Sequence, residues 1–149
     1  MSGLSQGAGH AALIAVRHKV ARAVLFGGPK DWDRRLNKPA AWYTPPETPI
    51  ESIYTFNHAQ DDQGCNITEQ LEICRTMGLE KLGVAINVDA SSPPFRNSHI
   101  LVTNYPGTPV PSVRAHTSVV ANGSSPKTSN GTRLFKPVWL YMLTSDGKS

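Results

Sequence analysis

The order of segments along this 149-residue chain predicts an α/β fold, a mostly parallel sheet with helices flanking it. Three observations carry that expectation. The pentapeptide Gly3-Leu4-Ser5-Gln6-Gly7 runs straight into an alanine-rich helical stretch. Apolar runs of strand length then alternate with helical or irregular segments. No internal repeat and no heptad pattern interrupts that alternation, which excludes a solenoid or coiled coil.

Residues 6–18 favour helix because alanines and leucine dominate and no proline intervenes. Residues 20–26 (VARAVLF) read as a buried strand that Gly27-Gly28-Pro29 ends. Residues 30–49 are proline-rich and carry Trp32, Trp42 and Tyr43, a composition that forbids a regular helix or a central strand. They are expected to make an excursion over the top of the sheet. Residues 50–59 (IESIYTFNHA) alternate β-branched and aromatic side chains, which marks a strand, and Asp61-Asp62-Gln63-Gly64 follows as a loop. Asn66 with Glu69 resembles a capping box, so a helix is expected through Leu71, Ile73, Cys74 and Met77 until Gly78 stops it. Residues 84–88 and 99–103 are further short strands. The segment 115–121 follows a loop containing Pro106, Pro109 and Pro111, and 122–132 is a polar surface loop. Residues 135–143 (FKPVWLYML) predict a closing helix with Pro137 in its first turn and Trp139 buried.

Composition bounds the function. The chain suits one domain over residues 1–149. Its net charge of +4 comes from 15 basic and 11 acidic residues that are scattered, with no basic block interleaved with aromatics, so no nucleic-acid partner is expected. No apolar stretch approaches the roughly 18 residues that a membrane span needs. Cys65 and Cys74 lie close enough in sequence to close a small loop in an oxidising compartment. Sequons at Asn66, Asn122 and Asn130 lean towards secretion, while the N-terminus lacks the features of a signal peptide. The two cysteines form no C-x-x-C pair and no histidine clusters beside them, so neither metal nor cofactor is expected.

The pentapeptide is a G-x-S-x-G motif. In a nucleophile elbow the serine sits on a strained turn between strand and helix, and the flanking glycines let that turn close. Serine needs a base to take its proton, and the base needs a third group to orient it. Elbow-type hydrolases carry these in the chain order Ser, acid, His. Here Ser5 is the candidate nucleophile and the Gln6 N–H the oxyanion donor. Asp61, with Asp62 as alternate, is the acid just beyond a strand, where α/β sheets place functional groups. His116, with His99 as alternate, is the base; small neighbours and a loop tip would let its ring reach over the sheet. Trp42 and Tyr43 are candidate walls of an apolar substrate pocket. Ordinary readings stand beside these: Ser5 as a helix N-cap, the aspartates as turn residues, His10 and His18 as helix-surface or packing residues, His58 as a neighbour of the acid or a packed histidine. Asp31 and Asp33 flank Trp32 as a solvated pair or a second possible acid.

The elbow, its helix, Gly27-Gly28-Pro29, the Trp-rich loop, Gln60-Asp61-Asp62 after a strand, and the late Ala115-His116-Thr117-Ser118 together resemble the C-terminal half of an α/β-hydrolase. They are similar to a group of secreted-type esterase or lipase-like members of that superfamily. The resemblance implies ester hydrolysis through an acyl-enzyme, with acyl transfer or a non-catalytic binding module as alternatives. It also implies that strands are missing before the elbow, including the one that feeds Ser5. The expected consequences are weak activity and an open apolar edge inviting self-association.

Overall fold

The computed structural model describes residues 1–29, 45–61, 67–86, 98–105, 112–121 and 123–144. Its elements are β1 (Ser2–Leu4), α1 (Gln6–Arg17), β2 (Ala23–Phe26), β3 (Ile53–His58), α2 (Ile67–Thr76), β4 (Val84–Ile86), β5 (Ile100–Thr103), α3 (Ser112–Ser118) and α4 (Lys136–Leu143). The five strands form one sheet in the order β1-β2-β3-β5-β4, and every neighbouring pair is parallel. The α/β class expected from the alternation of elements is therefore present.

Side-chain alternation along the strands divides the core into two layers. Ala23 and Leu25, Ile53, and Ile100 and Val102 face one side, where they pack with α1 and with Ile73, Cys74 and Met77 of α2 and its end. Val24 and Phe26, Tyr54 and Phe56, and Leu101 face the other, where Val119, Phe135, Val138, Tyr141 and Met142 cover them. Phe135 meets Phe56 edge-on at 5.1 Å. β2, β3 and β5 are buried at every position, as expected of strands covered on both faces.

Several local expectations are corrected. The strand feeding Ser5 is not missing: Ser2–Leu4 pair in parallel with Val24, Leu25 and Phe26. Ile50–Ser52, read as part of a strand, form a 3-10 turn before β3 begins at Ile53. Residues 20–22, also read as strand, precede β2. The region around His116 is not a loop tip; it belongs to α3, and its small neighbour Ala115 is buried. Trp139 is only half-buried, its indole N–H donating to the Val119 carbonyl at 2.7 Å. Gly78 stops the helical segment as expected, with φ 88°.

The described end of the proline-rich segment, residues 45–49, is anchored. Glu47 and Thr48 donate their N–H groups to the Val16 and Ala15 carbonyls at 2.8 and 3.0 Å, and the Thr48 hydroxyl donates to the His18 carbonyl at 3.0 Å. These bonds satisfy carbonyls that the end of α1 leaves without helical partners. Trp32, Trp42 and Tyr43, with Asp31 and Asp33, lie outside the described residues, as do Asp62, Cys65, Asn66 and Asn122. Cys74 is buried beneath the sheet with its Sγ 3.8 Å from the Thr55 hydroxyl.

Candidate active site

In an all-parallel sheet the strands' carboxyl ends line one edge, so segments that leave β1, β2, β3 and β5 meet there. Ser5 leaves β1, Gly27 leaves β2, and Asp61 stands three residues beyond β3. α3 follows β5 in the chain and brings His116 to the same edge.

Ser5 has φ 58° and ψ −115°, and among the described residues no other non-glycine has a positive φ. An N-cap serine ordinarily has extended backbone and accepts a hydrogen bond with its side chain. Ser5 makes no such capping bond. Its backbone is held from both sides: its N–H donates to the Phe26 carbonyl at 2.9 Å, and its own carbonyl accepts from Ala8 and Gly9 at 3.0 and 3.2 Å. The two flanking glycines differ. A Cβ on Gly3 would fall on the carbonyl of Gly7, far inside van der Waals contact, so β1 and α1 can close only over a glycine. A Cβ on Gly7 would meet nothing.

Asp61 and His116, 55 residues apart, are joined by a buried 2.6 Å contact from His116 Nδ1 to Asp61 Oδ2. A carboxylate can only accept, so Nδ1 carries a proton, and in the neutral ring that tautomer leaves the lone pair on Nε2. That Nε2 is buried and has no hydrogen-bond partner among the described residues. It is not bonded to Ser5. The His116 ring lies against the backbone turn after β2, since a Cβ on Gly27 would be 2.9 Å from its Cε1. Gly27 is also the neighbour of Phe26, the residue that holds the Ser5 N–H. One turn thus separates the imidazole from the elbow.

The Gln6 N–H stands in the first turn of α1, where helix geometry supplies no acceptor and the positive end of the dipole lies.

His99 is placed elsewhere. It precedes β5 at the opposite, N-terminal edge of the sheet, where its Nδ1 lies 2.9 Å from the Ile53 carbonyl and its ring stacks on Tyr54 at 4.1 Å. Tyr54 meets Tyr141 edge-on, and the Arg22 guanidinium lies 5.1 Å above the Tyr54 ring. The Tyr141 hydroxyl, pushed up to about 12 chiefly by burial, donates to the Ser98 carbonyl at 2.9 Å. His99 thus lies beside the start of β3, whereas Asp61 follows its end. His10 and His18 are exposed on and just after α1.

Asn57 and Gln70, which sequence reading passed over, shape the site together with His58, read there as a neighbour of the acid or a packed histidine. His58 is fully buried; its Nδ1 accepts from the Gln60 N–H at 3.1 Å and its carbonyl from the Asp61 N–H at 3.0 Å, which folds the turn presenting the acid. Burial holds its imidazole below the usual histidine range. Asn57 accepts the Gly28 N–H at 2.8 Å through Oδ1, fixing the turn on which His116 rests. Gln70 of α2 donates to Asp61 Oδ2 at 2.9 Å. Of Asn57 and Gln70, only Gln70 left a legible signal, as a polar residue within an otherwise apolar helical stripe.

Among the described residues no group of three or more His, Cys, Asp or Glu could hold a metal ion, and no helix is long and apolar enough to cross a membrane. No family model, curated protein or solved structure matches the chain.

Proposed function

We propose that this chain is a serine hydrolase of α/β-hydrolase type that acts on carboxylic esters through an acyl-enzyme. The observation that carries the reading is the buried Asp61–His116 pair, whose unpartnered Nε2 shares one sheet edge with a serine on a strained elbow. Ser5 Oγ attacks the ester carbonyl while His116 Nε2 takes its proton. The backbone N–H of Gln6 faces the developing oxyanion. His116 then returns the proton to the departing alcohol, and a water activated by the same nitrogen releases the acid. Asp61 holds the imidazole in the tautomer that leaves Nε2 basic. Trp42 and Tyr43 are assigned to the wall of the acyl pocket on composition alone.

Reaction with a fluorophosphonate probe tests the assignment, because labelling of Ser5 needs both a base and a polarised pocket. His116→Ala should abolish labelling and His99→Ala should keep most of it. Asp61→Asn should slow it by orders of magnitude, with Asp62→Asn mild. A wild-type chain that takes no label would instead favour a binding module that keeps the sheet without the chemistry.

A further inference from the structure

Helix α2 and the residue that follows it bury a stripe at positions 70, 73, 74 and 77, the i, i+3, i+4, i+7 spacing that puts four side chains on one face. Ile73, Cys74 and Met77 are the apolar members expected there. Gln70 is the exception, and it is fully buried. A primary amide at a core position is costly unless its polar atoms are bonded, and a leucine or methionine would fill the space without that cost. The amide has a specific destination: its Nε2 donates to Asp61 Oδ2 at 2.9 Å, the same oxygen that lies 2.6 Å from His116 Nδ1. Two donors from two different elements, α2 and α3, thus converge on one carboxylate oxygen. The carboxyl group cannot rotate about its bond to Cβ without breaking both. Gln70 is neutral, so it steadies the anion without competing with the imidazole for the charge.

We propose that Gln70 is a positioning residue for the acid, fixing the carboxylate orientation that holds His116 in its working tautomer. This rests on the hydrolase reading of the same site. It assigns to α2, through its bond to Asp61, a part in setting the base. The step it influences is the proton transfer from Ser5 Oγ to His116 Nε2, through the geometry of the Nδ1–H···Oδ2 bond at the other side of the ring.

The test uses Gln70→Met, which keeps the volume and restores an apolar stripe while removing the donor, with Gln70→Glu as a second variant that puts a like charge beside Asp61. Thermal unfolding should show Gln70→Met folded and close to wild type. Its fluorophosphonate labelling rate should fall about ten- to a hundredfold, the span of one hydrogen bond to a charged group. The low-field proton NMR resonance of His116 Nδ1–H should move or broaden. Gln70→Glu should perturb that resonance further. A normal melt with labelling and resonance both unchanged would overturn the inference. Should the wild-type chain itself take no label, the hydrolase reading fails. The resonance then decides alone: a shift in Gln70→Met keeps Gln70 as the organiser of the Asp61–His116 pair, and an unmoved signal removes that role too.

Discussion

Ser5 holds a backbone conformation that side chains rarely adopt, and such positions store roughly 1–3 kcal/mol that the surrounding structure must sustain. Two hydrogen-bonding partners sustain it, the Phe26 carbonyl on one side and the first turn of α1 on the other. Glycine reaches positive φ without steric cost, whereas alanine shares the strain of serine. Ser5→Gly should therefore raise the melting temperature, by about 2–4 °C if roughly 1 kcal/mol is recovered, while Ser5→Ala leaves it near wild type. Calorimetry on the three proteins decides. Equal melting temperatures for all three would mean that the elbow stores no strain, whatever its activity.

At the scale of elements, the junction of β1 and α1 depends on one glycine of the pair. Gly3 faces the Gly7 backbone and has no room for a methyl group, so Gly3→Ala forces strand and helix apart. Overpacking of this kind typically costs about 1–3 kcal/mol. Gly7 points into open space within a helix, where alanine is favoured by about 1 kcal/mol. Urea unfolding should therefore show opposite signs, with Gly3→Ala destabilised and Gly7→Ala neutral or stabilised. A comparable loss in both would contradict the packing described. Gly27 is a second such junction, since its positive φ and the His116 ring above it exclude a side chain.

At the scale of the whole molecule, two histidines at opposite edges of the sheet couple stability to pH. Burial is the largest cause in both His58 and His99, and each is held below its ordinary value. The folded chain thus resists protons that the unfolded chain accepts near pH 6.5. Above that pH neither state is protonated and the two residues are neutral to stability. As pH falls below it, the unfolded state binds more protons and stability declines. The urea midpoint should drop between pH 7 and pH 5. His58→Gln, which keeps an acceptor for the Gln60 N–H, should flatten that drop in part. An unaltered slope in His58→Gln would show that His58 titrates alike in both states.

The sequence by itself determined the α/β class, because alternating apolar strands and amphipathic helices are local patterns with their own periods. It also marked Ser5 and the strand that ends before Asp61, since turn residues and strand ends are written in adjacent positions. Its errors were local too. The tripeptide Ser2–Leu4 is too short to show a periodicity, and becomes a strand only because β2 offers it a parallel partner. His116 and His99 both follow proline-rich loops and look equivalent in the chain; the tertiary structure alone separates them. Pairing across 55 residues sets His116 beside Asp61, whereas the parallel register sets His99 against the start of β3. The same holds for Gln70, whose amide reads as a flaw in a helix stripe until the acid it faces is in place. Periodicity specifies which face of an element is buried. Which polar group lies across from it depends on the packing of elements distant in sequence, and only the folded chain supplies that.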